Sequence, residues 1–206
     1  MIYTEKMLSD LRHKVRLRMG AKRFDHTLGV EETAKMLGEV FLPDKTSELR
    51  AAALLHDITK EVPSDIQRSL LSNVNDLTDE DLRVAEAYHS FTAPIIIEND
   101  FSDYATEQIL SAVKNHTLAS PDMDLFSMIV FIADYIEPNR EYEHCQFVRD
   151  YLLTHISLNN LYKHNYEALV VACVMVIDFT ADFLAKRNKT IHSKTLMTKN
   201  YLLSLI

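Results

Sequence analysis

The 206-residue chain is 47% hydrophobic and carries only 3 Gly, 5 Pro and no Trp. These are too few turn residues for an all-β or doubly wound protein, so an all-α fold is expected, as one domain over residues 1–206 with a core that needs no disulfides. A formal charge of -8, from 30 acidic against 22 basic residues, excludes a broad electrostatic footprint on nucleic acid or an anionic membrane.

The N-terminal segment MIYTEKMLSDLRHKVRLRMG is charged throughout and lacks the apolar core of a signal peptide. With only Cys145 and Cys173 available for disulfides, a reducing cytoplasm is the expected location. Met7, Leu8, Leu11 and Val15, then Phe24, Leu28, Ala34, Leu37 and Phe41, recur at helical spacing and predict two amphipathic helices. After Pro43-Asp44, Thr46/Ser47 with Glu48 opens a third helix through ELRAAALLHDITK, ending before Pro63.

Residues 63–81 read as shorter helical pieces with polar joints at Ser72-Asn73 and Asn75-Asp76, and Thr78-Asp79-Glu80-Asp81 opens a helix carrying Val84, Ala85 and Tyr88. Ser102-Asp103 is the expected cap of a helix through EQILSAVKNHT, and Pro121-Asp122 opens MDLFSMIVFIADYI, which ends at Pro138. Two or three further helices are expected, from about 141 to 154, 158 to 186 and 194 to 205. The longest unbroken apolar run, Ala168 to Ile177, is followed by Asp178 and Asp182 and reads as a buried core helix, too short to span a bilayer.

Polar groups placed against that apolar pattern carry the functional signal. His56-Asp57 ends an Ala/Leu-rich helix, and a carboxylate withdrawn from water there needs a cation. Asp134 lies inside the apolar run SMIVFIADYI, and His116 continues the Ile109, Val113 face of its helix. Taken singly, His116 is explained by a bond to a backbone carbonyl and Asp134 by a partner such as Arg140. Taken together, His26, His56, Asp57, His89, His116 and Asp134 supply four imidazoles and two carboxylates from five helical segments. That donor set suits iron, manganese, cobalt, nickel or zinc, whereas calcium and magnesium demand mostly oxygen.

The order H…HD…H…H…D is that of the HD-domain superfamily, and KRFDHTLGV (22–30), AALLHDITK (52–60), ILSAVKNHT (109–117) and IADYIEPNR (132–140) resemble its YqeK-type symmetrical diadenosine tetraphosphate hydrolases over residues 5–185. The resemblance implies an HD-type helical bundle with its core at about 18–140 and helices from 141–206 packed on it. It also implies two metal ions, iron by resemblance. His26, His56, Asp57 and Asp134 would surround one, and Asp57 would bridge to a second held by His89 and His116, with a hydroxide between them as nucleophile. By the same resemblance, Lys60 contacts the attacked phosphate and stabilises developing charge, and with the metal-bridging Asp57 it makes up the catalytic pair. Arg23, Asn139 and Arg140 bind the polyphosphate, and Thr117 bonds near the second metal.

The implied reaction is symmetrical hydrolysis of diadenosine tetraphosphate to two ADP, with a small nucleotide as partner, neither nucleic acid nor membrane, and a homodimer compatible with the sequence. Rival readings are a broader nucleotide phosphatase, an HD-type di-iron oxygenase and a non-catalytic nucleotide or metal sensor. The chain departs from the family in HSFTAP (89–94) and HTLASP (116–121), where small or glycine residues are usual after the histidines; this bears on nucleotide fit rather than on the metal ligands. His13, His144, His155, His164 and His192 stand among polar neighbours and are expected to be exposed, and His144-Cys145 is read as structural. Tyr142, Tyr151, Tyr162 and Tyr166 are read as core or interface residues rather than as a nucleobase frame.

Overall fold

The computed structural model describes residues 2–72, 74, 76–159 and 161–206, which form ten α-helices and four short 3₁₀ segments with no strand among them. Helix α1 (Glu5–Arg16) opens on the Thr4 hydroxyl, which accepts the Met7 amide, and buries Leu8, Leu11 and Val15. Helix α2 (Ala21–Phe41) follows, and buries Val30, Ala34 and Leu37 against α3 (Thr46–Leu55) and α7 (Leu125–Ile136). Every residue of α3 from Glu48 to Leu55 is buried, so it runs through the centre of the bundle. Truncating Leu54 or Leu55 to alanine there should cost about 2–5 kcal/mol.

The third helix ends earlier than the sequence pattern suggests. Beyond Leu55 the bonding tightens to three-residue spacing, with Ile58 donating to Leu55, Lys60 to Asp57 and Val62 to Thr59. The cause is local: the His56 ring takes the Ala53 carbonyl at 2.6 Å, the acceptor that a continuing α-helix would give to the Asp57 amide.

Helix α4 (Ser64–Leu71) leads to the expected polar joints, of which Asn73 and Asn75 lie outside the described residues. The helix expected from Thr78 does not form as one piece. Asp81 and Thr78 cap each other, but the chain then makes two 3₁₀ turns, Asp81–Arg83 and Ala85–Ala87, before α5 (Tyr88–Asp100) begins. Tertiary bonds account for the break, because Glu80 accepts the Ser193 amide at 2.7 Å and holds this stretch against the C-terminal helices.

Two caps also fall later than expected. Ser102–Tyr104 forms a 3₁₀ turn, and Thr106 caps α6 (Glu107–Asn115) by accepting the Ile109 amide; Asp124 caps α7 by accepting that of Ser127 at 2.8 Å. Helices α8 (Glu143–His155), α9 (Tyr162–Ala185) and α10 (Ser193–Leu203) complete the chain, and α9 packs on α7, α8 and α10. Helix α9 has the length and apolarity of a membrane span, yet Leu169, Val170, Cys173 and Val176 are buried in the common core, and Asp178 and Asp182 interrupt its far end.

Candidate metal centre

Five segments deliver polar groups to one point in this apolar core. His26 comes from the second turn of α2, His56 and Asp57 from the end of α3, His89 from the start of α5, His116 from the end of α6 and Asp134 from the last turn of α7. His26, His56 and Asp134 offer one donor atom each within 4.8 Å of one another, and His56, Asp57 and His116 do the same. All six residues taken from the sequence as metal ligands therefore meet, His89 joining through its Nε2, 3.1 Å from that of His116.

Two of the histidines are set by the same device. The Nδ1–H of His56 donates to the Ala53 carbonyl and that of His116 to the Val113 carbonyl, both at 2.6 Å. A carbonyl only accepts, so each ring keeps its proton on Nδ1 and turns an Nε2 lone pair inward. His26 is oriented differently: its Nδ1 faces Glu137 Oε1 at 3.0 Å. The buried Nε2 atoms of His26 and His56 have no hydrogen-bond partner among the described residues; Asp134 Oδ1 is 3.0 Å from His26 Nε2 but out of line. Leaving such groups unmet costs about 1–3 kcal/mol each, so lone pairs that converge on carboxylates fit a bound cation.

Asp57 divides its oxygens between the two groups. Oδ2 lies 3.4 Å from His56 Nε2 and 3.9 Å from His26 Nε2, while Oδ1 lies 3.3 Å from His89 Nε2 and 3.6 Å from His116 Nε2. Burial alone would raise its pKa, but the imidazoles of His56, His116 and His89 hold it well below the usual carboxylate range. Asp134 behaves alike: burial opposes ionisation and is overcome by Arg140 and by His26. Burial drives His89 well below its ordinary value, which suits a neutral ligand. His26 runs the other way. Burial would lower its pKa, but Asp134 and Glu137 raise it to about 9.

Around these groups a cavity of about 350 Å³ is lined by Arg23, Lys60, Thr117 and Arg140 as well as by ligands of the centre. Arg23 donates to Asp57 at 2.7 Å and Arg140 to Asp134 at 2.6 Å, so the arginine partner foreseen for Asp134 is present beside the metal-ligating geometry. Lys60 Nζ lies 3.1 Å from His89 Nε2, and burial pulls its pKa down. Thr117 Oγ1 stands between His89 and His116, 3.0 and 3.1 Å from their Nε2 atoms. Asn139 is not part of this lining; its side chain donates to the Asp25 carbonyl at 3.2 Å.

Sequence reasoning passed over Glu137. This carboxylate is 1% exposed, orients His26 through one oxygen and accepts the Asn139 amide at 2.7 Å through the other. Gly29 makes room for it, since a Cβ there would lie 2.3 Å from Glu137 Oε2. The available signal was an acid inside ADYIEPNR that ends an otherwise apolar helix. Val176 and Thr180 of α9 were missed too; they close the cavity from the C-terminal third, where periodicity marks only a core helix.

Of the histidines expected to be exposed, His13, His155 and His164 are, and His144 is half-buried with its Nδ1 2.8 Å from the Tyr135 hydroxyl. His192 is a correction: it is 5% exposed, because the α9–α10 turn folds it onto Asp81, 3.2 Å from Oδ1.

The model of the HD domain matches residues 23–139 of this chain. The symmetrical bis(5'-nucleosyl)-tetraphosphatase of Halalkalibacterium halodurans is 31% identical over 88% of the chain and 89% of its own length. The protein of the same name from Bacillus subtilis is 29% identical over 92% of the chain and 94% of its own length. A crystal structure from Clostridium acetobutylicum, described as a predicted HD superfamily hydrolase involved in NAD metabolism, superimposes over 100% of both chains with a TM-score of 0.81 and 28% identity.

Proposed function

Because the chain belongs to the HD-domain family, we propose that it is a metal-dependent hydrolase that cuts dinucleoside tetraphosphates symmetrically, taking diadenosine tetraphosphate to two ADP. The bacterial relatives that carry the name symmetrical bis(5'-nucleosyl)-tetraphosphatase match it nearly end to end. The observation that carries the reading is the Asp57 carboxylate, which presents one oxygen to His26 and His56 and the other to His89 and His116.

In this reading His26, His56, Asp57 and Asp134 would hold one ion and Asp57, His89 and His116 a second; imidazole and carboxylate suit several transition metals, and iron is chosen among them by the family resemblance alone. Such ions would supply positive charge that neutralises phosphate oxygens and lowers the pKa of nearby water. The protein's own groups supply the rest. Arg23 and Arg140 now balance the Asp57 and Asp134 carboxylates, and each is positioned to give its guanidinium to the phosphate chain instead. Lys60, at the wall of the same cavity, donates to the oxygen on which charge builds as the anhydride breaks. Thr117 contacts the phosphate next to it, and Asn139 contributes by fixing the 137–140 turn from which Arg140 projects.

Incubating the metal-loaded protein with diadenosine tetraphosphate tests the proposal. ADP as sole nucleotide product is expected; ATP with AMP would defeat the symmetrical reading. No turnover at demonstrated metal occupancy would defeat the assignment altogether. Replacing Lys60 with alanine should lower kcat about a hundredfold with metal content unchanged.

A further inference from the structure

A second, larger cavity opens beside the metal centre. It encloses about 1120 Å³ between the 78–87 segment, the turn after His116 and helices α9 and α10. Thr117 and Thr180 line both cavities, so the two adjoin at these residues. The metal-centre cavity, at about 350 Å³, lies at the small end of ligand sites, which run to about 1,000 Å³ for drug-sized molecules. It has room for part of a phosphate chain, and a dinucleotide must extend beyond it.

The chemistry of the two walls differs in the sense such a ligand needs. The small cavity concentrates Arg23, Lys60 and Arg140. The large one offers apolar surface from Val84, Leu118, Phe183, Leu184 and Met197, and its ammonium groups face carboxylates, Lys189 against Glu86 and Lys194 against Asp81. Arg83 lines the same groove, but Asp79, Glu80, Asp81 and Glu86 outnumber its cations, so it is no anion trap. In its wall sits a buried polar pair: Asp81 Oδ1 and His192 Nε2, 3.2 Å apart, neither in an aligned hydrogen bond among the described residues. A carboxylate oxygen beside an imidazole nitrogen suits a hydroxyl, which both donates and accepts.

We infer that this groove binds one uncharged nucleoside moiety of the substrate, its base against the Phe183–Met197 surface and its sugar hydroxyls toward Asp81 and His192, while the attached phosphates enter the metal centre past Thr117 and Thr180. The inference rests on the hydrolase reading and adds the place of the nucleoside. The exposed tyrosines of the C-terminal third, Tyr142 and Tyr162, play no part in it, since neither lines either cavity.

Phe183 and Met197 are 47% and 58% exposed, so changing them leaves the core intact. The metal-loaded protein and its Phe183→Ala and Met197→Trp variants would be titrated calorimetrically with ADP and, separately, with inorganic pyrophosphate. The truncation removes an aromatic face and the larger side chain fills the groove. In both variants the Kd for ADP should rise about tenfold, the lower range for a lost base–aromatic contact, while that for pyrophosphate stays within about twofold. ADP and pyrophosphate weakening in parallel, ADP unaffected by both changes, or an unaltered protein that binds ADP no more tightly than pyrophosphate would each overturn the inference. Failure of the hydrolase reading is told apart by the unaltered protein's product analysis.

Discussion

The two halves of the candidate metal centre are built by different means. In the inner half, Asp57, His89 and His116 are at most 4% exposed, and the His116 ring is fixed by a backbone carbonyl of its own helix. In the outer half His56 is buried and fixed in the same way, but the His26 side chain is 11% and that of Asp134 19% exposed, and each of these two is held by a side chain from the 137–140 turn, Glu137 on His26 and Arg140 on Asp134. A backbone carbonyl is positioned by the helix that carries the ligand, whereas a carboxylate or guanidinium is as well placed as its turn. The inner half should therefore be the more rigid and the outer half the more easily detuned. Asp57 belongs to both.

The largest effect erases the distinction. Asp57→Asn removes the charge shared by both halves, so both ions should be lost and kcat/KM for diadenosine tetraphosphate should fall on the order of a thousandfold or more. Elemental analysis of the same preparation would show it, and retention of one full equivalent of metal would break the bridging account. Glu137→Gln should separate the halves. Metal affinity is expected to weaken about 10–100-fold at the outer position only, leaving one tightly held ion per chain in a competition titration with a chelator. Gly29→Ala should mimic this by displacing Glu137, and should lower stability in thermal or urea unfolding by about 1–3 kcal/mol.

Acidity sharpens the same contrast. His26 has its pKa raised from the ordinary 6.5 to about 9, so the metal-free fold gains stability that is fully present below 6.5 and is lost as the pH rises through 9. A metal needs the unprotonated ring, so outer-half metal affinity should climb over the same interval. His89 is held well below its ordinary value and adds no such dependence to the inner half above neutral pH. Melting temperatures of metal-free protein and metal titrations across that range test both slopes. The smallest effect is at Ala119, buried in the turn after His116 with φ 61, a region costly for a side chain. Ala119→Gly should gain up to about 1 kcal/mol in unfolding experiments, part of the relief being offset by the freer unfolded chain, and should leave both halves of the centre unchanged.

Of the candidate ligands, His56-Asp57, His116 and Asp134 were legible because they stand where an apolar face should continue, as His116 does after Ile109 and Val113, whereas His26 and His89 were legible only through the H…HD…H…H…D order. Helix ends were less legible. The stop of α3 at Leu55 depends on the His56 ring competing with the backbone, and the 3₁₀ turns at Asp81–Arg83 and Ala85–Ala87 depend on Glu80 reaching Ser193 more than a hundred residues away. The first contact is local but turns on how one ring is oriented, and the second has no local signature at all.

The sequence by itself determined an all-helical chain and its inward-facing imidazoles and carboxylates, because burial periodicity and donor chemistry are properties of residue order, and its resemblance to a family supplied the full set of six candidates and the cationic residues beside them. Only the tertiary structure decided which oxygen of Asp57 faces which histidines, that Glu137 and Gly29 fit together behind His26, and that His192 is buried on Asp81 beside a groove opening from the centre. These are matters of distance and direction between segments far apart in the chain. They follow from how helices pack, and no spacing along one helix encodes them.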